Sequence, residues 1–421
     1  MFKHVRSLVI WSLVLSPFAV AALRQSSDNE FEAQYLAAKV ADPVTQLISK
    51  IQSGSAQLTY EPKQGYLRSL LKHLDISPTS QILVFSKTSL QSAHISPTTP
   101  RALYFNDHAY VGWIPGAPYM EVVGIDPQVG PVFFLLTNEV TPKAKPVRQN
   151  DECLQCHNSG MTKHVPGLMA RSVYAGPDGT AMLAGGSFIT GPTSPMKERW
   201  GGWYVTGTHG EQRHMGNEVA RGNEQSPTIN IEKGANVTDL HPYFDVDGYL
   251  TPHSDIVALM VAEQQMVIQN LITKAGFLSR NALKDAEGLR KFGFSAEHVA
   301  ETIHDRVKSA CEPLVFALTG LEEPKFTSPI KGTSSFTTMY SASSPQDKGG
   351  HRLSELDLKA RLLRYRCSPM IYSSAFQGLP AEAKSQVFSR IRELLSPPAI
   401  GKGAATLTIL SSTVQGFSSQ S

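Results

Sequence analysis

Ile82-Leu83-Val84-Phe85, Ala102-Leu103-Tyr104-Phe105, Tyr110-Val111-Gly112-Trp113, Met120 to Ile125 and Val132 to Leu136 are five short β-rich runs. Asn106-Asp107, Pro115-Gly116 and Asp126-Pro127 with Gly130 punctuate them as turns. β-Branched and aromatic side chains suit a pleated, half-buried surface, and turn residues at this spacing join neighbouring strands directly. The stretch predicts an antiparallel meander.

On its N-terminal side the pattern is helical. Asn29 to Val40 is rich in Glu, Ala and Gln, Pro43 can open a second helix through Ile51, and Gly65 to Leu74 sets Leu67, Leu70, Leu71 and Leu74 on one stripe. On its C-terminal side Arg171 to Leu183 reads as a hairpin around Gly176-Pro177-Asp178-Gly179. From Thr251 the chain turns helical again, with Thr251 as cap, Pro252 in the first turn, Ile256 to Ile272 as the body and Gly276 as a stop. Further helices are expected over Ser295 to Leu318, Ser354 to Leu363 and Pro380 to Leu395, with a Ser/Thr/Gly/Pro-rich connector over 324–350. The fold class is therefore α+β: N-terminal helices with an antiparallel meander over 25–140, a region of hairpins and loops over 150–250, a helical region over 251–396, and a loose Ser/Thr-rich tail over 397–421.

The first 22 residues read differently. Lys3, His4 and Arg6 precede an apolar run from Leu8 to Val20, and Ala19-Val20-Ala21 is a small-x-small cleavage pattern. That is a secretory signal peptide, and the run is too short and too interrupted by Pro17 for a permanent span. The expectation is a periplasmic or secreted bacterial protein starting near Ala22, with no transmembrane anchor after cleavage. A 41% hydrophobic, 18% charged chain of net charge +3, without a dense Lys/Arg run, gives no footing for a nucleic-acid partner.

The Pro- and Lys-containing connector over 141–151 leads into Cys153-Leu154-Gln155-Cys156-His157. On a helix, thiols three residues apart share a face and can add to both vinyl groups of one haem edge, while the adjacent imidazole is a good axial ligand for iron. Asp151 is a candidate N-cap, and Asn158-Ser159-Gly160 ends the segment. A thioredoxin-like C-x-x-C calls for a βαβ context, and a zinc site for a second ligand pair at short spacing; Cys311 and Cys367 lie far away and far from each other. The reading is one covalently attached haem c, with Cys153 and Cys156 as attachment points and His157 as proximal iron ligand. The second ring nitrogen of His157 is expected to donate to a carbonyl of the Val165-Pro166-Gly167 loop. Cys311 and Cys367 are either a disulfide or two buried thiols.

For the sixth iron position the candidates are Met161, His164, Met169, Met182, Met196, His209, His214 and Met215. Met161 and His164 are too near His157 to reach its far side without an abrupt reversal, and Met169 and Met182 sit in apolar runs that suit packing. Met215 is the first choice as distal ligand and His214 the second, both in Arg213-His214-Met215-Gly216-Asn217 beyond a Gly- and Trp-rich stretch. The glycines and tryptophans of 185–216 suggest backbone laid against something flat, with haem as the candidate.

The chain resembles a little-characterised group of exported bacterial proteins described as cytochrome c domain-containing. The resemblance rests on Cys153 to His157, on Ser96-Pro97 to Asp107 with Tyr110-Val111-Gly112-Trp113, on Glu198-Arg199-Trp200-Gly201-Gly202-Trp203-Tyr204-Val205-Thr206-Gly207 running into Arg213 to Asn217, and on the Ser254-Asp255-Ile256-Val257 helix start. It implies haem binding and electron transfer and supplies no substrate. Three functions stay open: a six-coordinate carrier passing single electrons to a redox partner protein, a peroxidase-like haem oxidoreductase with an open distal position, and a haem-based sensor or binding module. No catalytic residue is assigned.

Overall fold

The computed structural model describes residues 30–398 and 400–418, so the expected signal peptide lies outside the described residues. A helix over residues 30–37 (α1) is followed by α2 (Pro43–Gln52) and α3 (Leu67–His73). Asp42 caps α2 by accepting from the Val44 and Thr45 amides, as expected ahead of a proline-led first turn.

The meander is present as β1 (Ile82–Val84), β2 (Arg101–Phe105), β3 (Ala109–Trp113), β4 (Tyr119–Asp126), β5 (Gly130–Thr137) and β6 (Val147–Arg148), each antiparallel to the next. The boundaries of β1 to β5 fall within a residue or two of the expected runs, and β6 forms inside the stretch expected as a connector. Directly after β6 come the short helix α4 (Asp151–His157) and a hairpin of β7 (Ala170–Val173) with β8 (Ser187–Thr190). A seventh strand, β9 (Trp203–Tyr204), pairs with β1 and gives the order β6-β5-β4-β3-β2-β1-β9; β10 (Gly207–Thr208) pairs with β11 (Lys331–Gly332).

The two faces of the sheet differ. On β4, Met120, Val122 and Gly124 are buried, whereas Tyr119 is exposed and Glu121 and Val123 are half-buried. Strand register aligns Leu103, Gly112, Glu121 and Leu135 across β2 to β5 on this less covered face, with Val147 of β6 at its end. Leu103 and Leu135 are half-buried there and Val147 is 56% exposed.

The long helix α5 (Ile256–Lys291) spans the sheet from the Thr206–Asp255 bridge beside β9 to Thr273 against Gly130 of β5. Asp255, rather than Thr251, caps it by accepting from the Val257 amide. The helix also runs through the expected stop at Gly276, because Phe277, Ala282 and Ala286 continue to bury apolar surface past it. Its length and composition would suffice to cross a membrane, yet 94% of its most apolar window is buried inside the protein. Core packing accounts for that apolarity.

α6 (Ala296–Thr319), capped by Ser295 and ended by Gly320 in the left-handed region, packs on α5 and on α9 (Ala381–Leu395). Between them come α7 (Phe336–Ser341) and the single turn α8 (Ser374–Gln377). Ser354 to Leu363 is not the expected helix: Leu358 has φ 58°, Leu356 bridges Leu363, and the Leu358 carbonyl accepts from the Ile330 amide. Nor is the tail loose. α10 (Gly403–Thr413) buries Ile409 and Leu410, and Phe417 packs its ring 5.3 Å from that of Phe388. Among the described residues one continuous core reaches from Phe31 to Phe417, joining the meander, the hairpin region, the helical region and the tail.

Candidate functional site

Cys153, Cys156 and His157 all lie on α4, with Leu154 buried beneath them. Asn150 occupies the N-cap without a side-chain bond, so the helix is held by its anchor on Leu154 and by the loop that follows. Cys153 is half-buried, Cys156 is exposed, and all four cysteines are free thiols. Burial first, then the charges of Glu121 and Glu152, push the Cys153 thiol up to about 11. It is a protonated thiol at neutral pH.

The loop after α4 is built to present one atom. Ser159 opens a single 3-10 turn (Gly160–Thr162) with reciprocal capping by Thr162, and Lys163 and His164 then take φ of 62° and 59° to reverse the chain. The Thr162 hydroxyl, fully buried, lies 2.9 Å from the Val165 carbonyl and 3.1 Å from that of His157. The reversal brings the Gly167 carbonyl 2.8 Å from His157 Nδ1, inside the loop expected to supply it, while the Gly167 amide donates to the His157 carbonyl. Asn270 of α5 clamps the far side, accepting from the Leu168 amide and donating to its carbonyl. A Cβ on Gly167 would stand 2.6 Å from Asn270 Oδ1 and 2.9 Å from Thr162 Cβ, so only glycine fits between them.

A carbonyl can only accept, so Nδ1 of His157 carries the proton and Nε2 keeps its lone pair. Nε2 has no hydrogen bond among the described residues. The ring packs 4.8 Å from that of Phe133, on the less covered face of the sheet. Desolvation lowers its pKa; the Gly167 bond and Glu121 oppose this, and Arg101 adds to it. The imidazole is neutral, as an iron ligand must be.

The Arg101–Glu121 ion pair lies on the same sheet face as Phe133, which packs on the His157 ring. Arg101 Nη1 meets Glu121 Oε2 at 2.5 Å, and Ser89 donates to Glu121 Oε1 at 2.8 Å. These partners hold the Glu121 carboxyl below its usual range against the desolvation that would raise it. Arg101 Nε is buried with no acceptor. No sequence signal assigned these two residues a role, although a carboxylate inside the apolar run Met120 to Ile125 was one.

Met215 and His214, the two favoured distal candidates, make their side-chain contacts with other residues, whereas Met161 and His164 lie in the loop after α4. The Met215 thioether is buried and accepts from Ser172 Oγ at 3.7 Å. His214 is buried between Trp200 (ring centroids 5.2 Å apart) and His209 (4.7 Å). Its Nδ1 accepts from the Gly216 amide, so Nε2 bears the proton, and that atom is buried without a partner. Burial, with His209 and Arg213, lowers the His214 pKa to about 3. No hydrogen bond or ring contact joins either residue to His157. The glycines nearby serve backbone packing: Gly201 donates to Ser172 Oγ and Gly202 accepts from the Phe85 amide, so the surface they lie against is protein.

Does a haem suit the residues present? Two free thiols three residues apart, a neutral imidazole with an unbonded Nε2, half-buried Leu103, Val123 and Leu135 on the sheet face beside it, and an arginine with an unmet donor all fit one. Among the described residues no group of three or more His, Cys, Asp or Glu converges as a conventional metal site. The chain matches no family model, no curated protein and no solved structure.

Proposed function

We propose that the chain is an exported bacterial mono-haem c protein of the cytochrome c domain-containing kind, which carries single electrons to a redox partner protein. One observation supports the reading above the others: Cys153 and Cys156 share a helix with His157, whose Nδ1 is bonded to Gly167 so that Nε2 is free. Bound haem supplies a one-electron couple at its iron. The chain's own part is to attach it through two sulfurs, to orient His157 through Thr162, Gly167 and Asn270, and to shield one side with the Leu103–Leu135 row. Export rests on the N-terminal pattern of Lys3 to Ala21.

Acidic organic extraction of the denatured, full-length protein tests the attachment. Haem stays with the polypeptide on this reading, and Cys153→Ala or Cys156→Ala releases it or lowers its yield; colour passing from the wild type into the solvent defeats the proposal. The second reading, an oxidoreductase with an open sixth position, is favoured by the commitment of Met215 and His214 to the interior. Spectra of the reduced protein with and without carbon monoxide separate the two, since ready binding belongs to the open site and refusal to the carrier.

A further inference from the structure

Across the less covered face of the sheet, Arg101 and Glu121 form a pair that the attachment motif does not include. Arg101 belongs to β2 and Glu121 to β4, so register rather than sequence proximity brings them together. Their side chains retain 15% and 22% exposure, which leaves the pair neither sealed in the core nor free in solvent. Glu121 is tied down by Ser89 and approached by Gln91 at 3.5 Å, whereas Arg101 spends only Nη1. Its Nε is buried without an acceptor, and Nη2 makes no hydrogen bond among the described residues. A guanidinium presents a rigid fork of donors suited to a carboxylate, and one that is half-used and half-buried is short of an anionic partner. The pair shares its sheet face with Phe133, whose ring packs 4.8 Å from that of His157: Phe133 pairs with Val123, two residues along β4 from Glu121. Glu121 also sits between Gly112 and Leu135 in the row on which a flat apolar ring would rest.

We infer that Arg101, braced by Glu121, binds a carboxylate of the haem attached at Cys153 and Cys156, and that the two opposed charges bias the reduction potential of the iron held by His157. The inference rests on the haem reading of the motif. A cation beside the iron favours the reduced, less positive state, and an anion favours the oxidised one. The variants therefore act in opposite directions.

The experiment is a spectroscopic redox titration of the full-length, haem-loaded protein, with retained haem checked first by denaturing extraction. Arg101→Gln lowers the midpoint potential, Glu121→Gln raises it, and Arg101→Lys falls between Arg101→Gln and the wild type. A pair that only braced the sheet would shift both neutral variants the same way or neither, and either result overturns the inference while leaving attachment intact. Should Arg101→Gln not fold, Glu121→Gln and Arg101→Lys carry the test, because a rise in the first and a fall in the second are both required. Haem lost from the wild type on extraction overturns the haem reading itself, a result that needs no variant.

Discussion

Two regions of this molecule hold buried or half-buried histidines, and the backbone fixes their ring nitrogens in opposite ways. In the loop after α4, His157 donates through Nδ1 to the Gly167 carbonyl and keeps an unbonded Nε2. In the Trp200–Asn217 region, His214 accepts at Nδ1 from the Gly216 amide, which puts the proton on Nε2 and removes the lone pair that a metal needs. Residue type is the same, and the backbone partner sets the tautomer: a carbonyl at Nδ1 leaves Nε2 of His157 with its lone pair, and an amide at Nδ1 puts the proton on Nε2 of His214.

The sharpest way to probe the second region is at its buried ion pair. Arg199 Nη1 meets Glu263 Oε2 at 3.1 Å with side chains only 5% and 2% exposed, and Glu263 also accepts from Thr190 Oγ1. Arg199→Met leaves a buried carboxylate unpaired and should cost about 3–5 kcal/mol in urea unfolding. A loss under about 1 kcal/mol would mean the region tolerates rearrangement and is less fixed than the comparison requires.

Met215→Ala comes next. Removing a buried methionine should lower stability by about 2–5 kcal/mol, with the spectrum and carbon monoxide affinity of the haem-loaded protein unchanged. A changed spectrum with unchanged stability would return Met215 to the iron and erase the contrast between the regions.

Acid should expose the same region through His214. Its folded pKa of about 3 lies below the ordinary histidine value, so the unfolded chain binds the proton more readily. The stability it contributes is complete above the unfolded pKa and falls as the pH drops from about 6.5 towards 3. His214→Gln should flatten the stability curve in that window, and a slope as steep as that of the wild type would assign the acid response to other groups.

The smallest effect belongs to the first region. Gly167→Ala crowds Asn270 and Thr162 and should cost about 1–3 kcal/mol, but it should also tilt His157 and alter the iron spectrum, which Met215→Ala should not. Equal stability loss without a spectral change would show that the loop does not orient the imidazole.

The ease with which the sequence reveals each part follows the range of the contacts that make it. Strands β1 to β5 are sequence neighbours and sheet neighbours at once, so alternation and turn residues reveal them, whereas two-residue β6 lies in the stretch read as a connector. β9 has only Trp203 and Tyr204 and reaches back to β1, and no local pattern could announce it. Helix ends were misjudged where burial outweighed a breaker, as at Gly276, or where polar composition hid a docking stripe, as in the tail with Ile409, Leu410 and Phe417. At the site, Cys153, Cys156, His157 and the Gly167 loop were legible because they occupy one short segment. Arg101 and Glu121 come from separate strands, and Asn270 from a helix a hundred residues on, so only the folded register assembles them.

The late pairing of β9 also sets an order of emergence. Six strands can form as soon as each follows the last, whereas Leu83 must wait for Tyr204 across a long loop. As the chain appears from its N-terminus, the half-covered row of Leu103, Glu121 and Leu135 is laid down first, and Cys153 to His157 are the next residues of consequence. Only afterwards come Asn270 and the helix that clamps the loop. The α4 segment therefore follows a sheet face already laid down, while the loop that orients the His157 ring waits for the helix that clamps it.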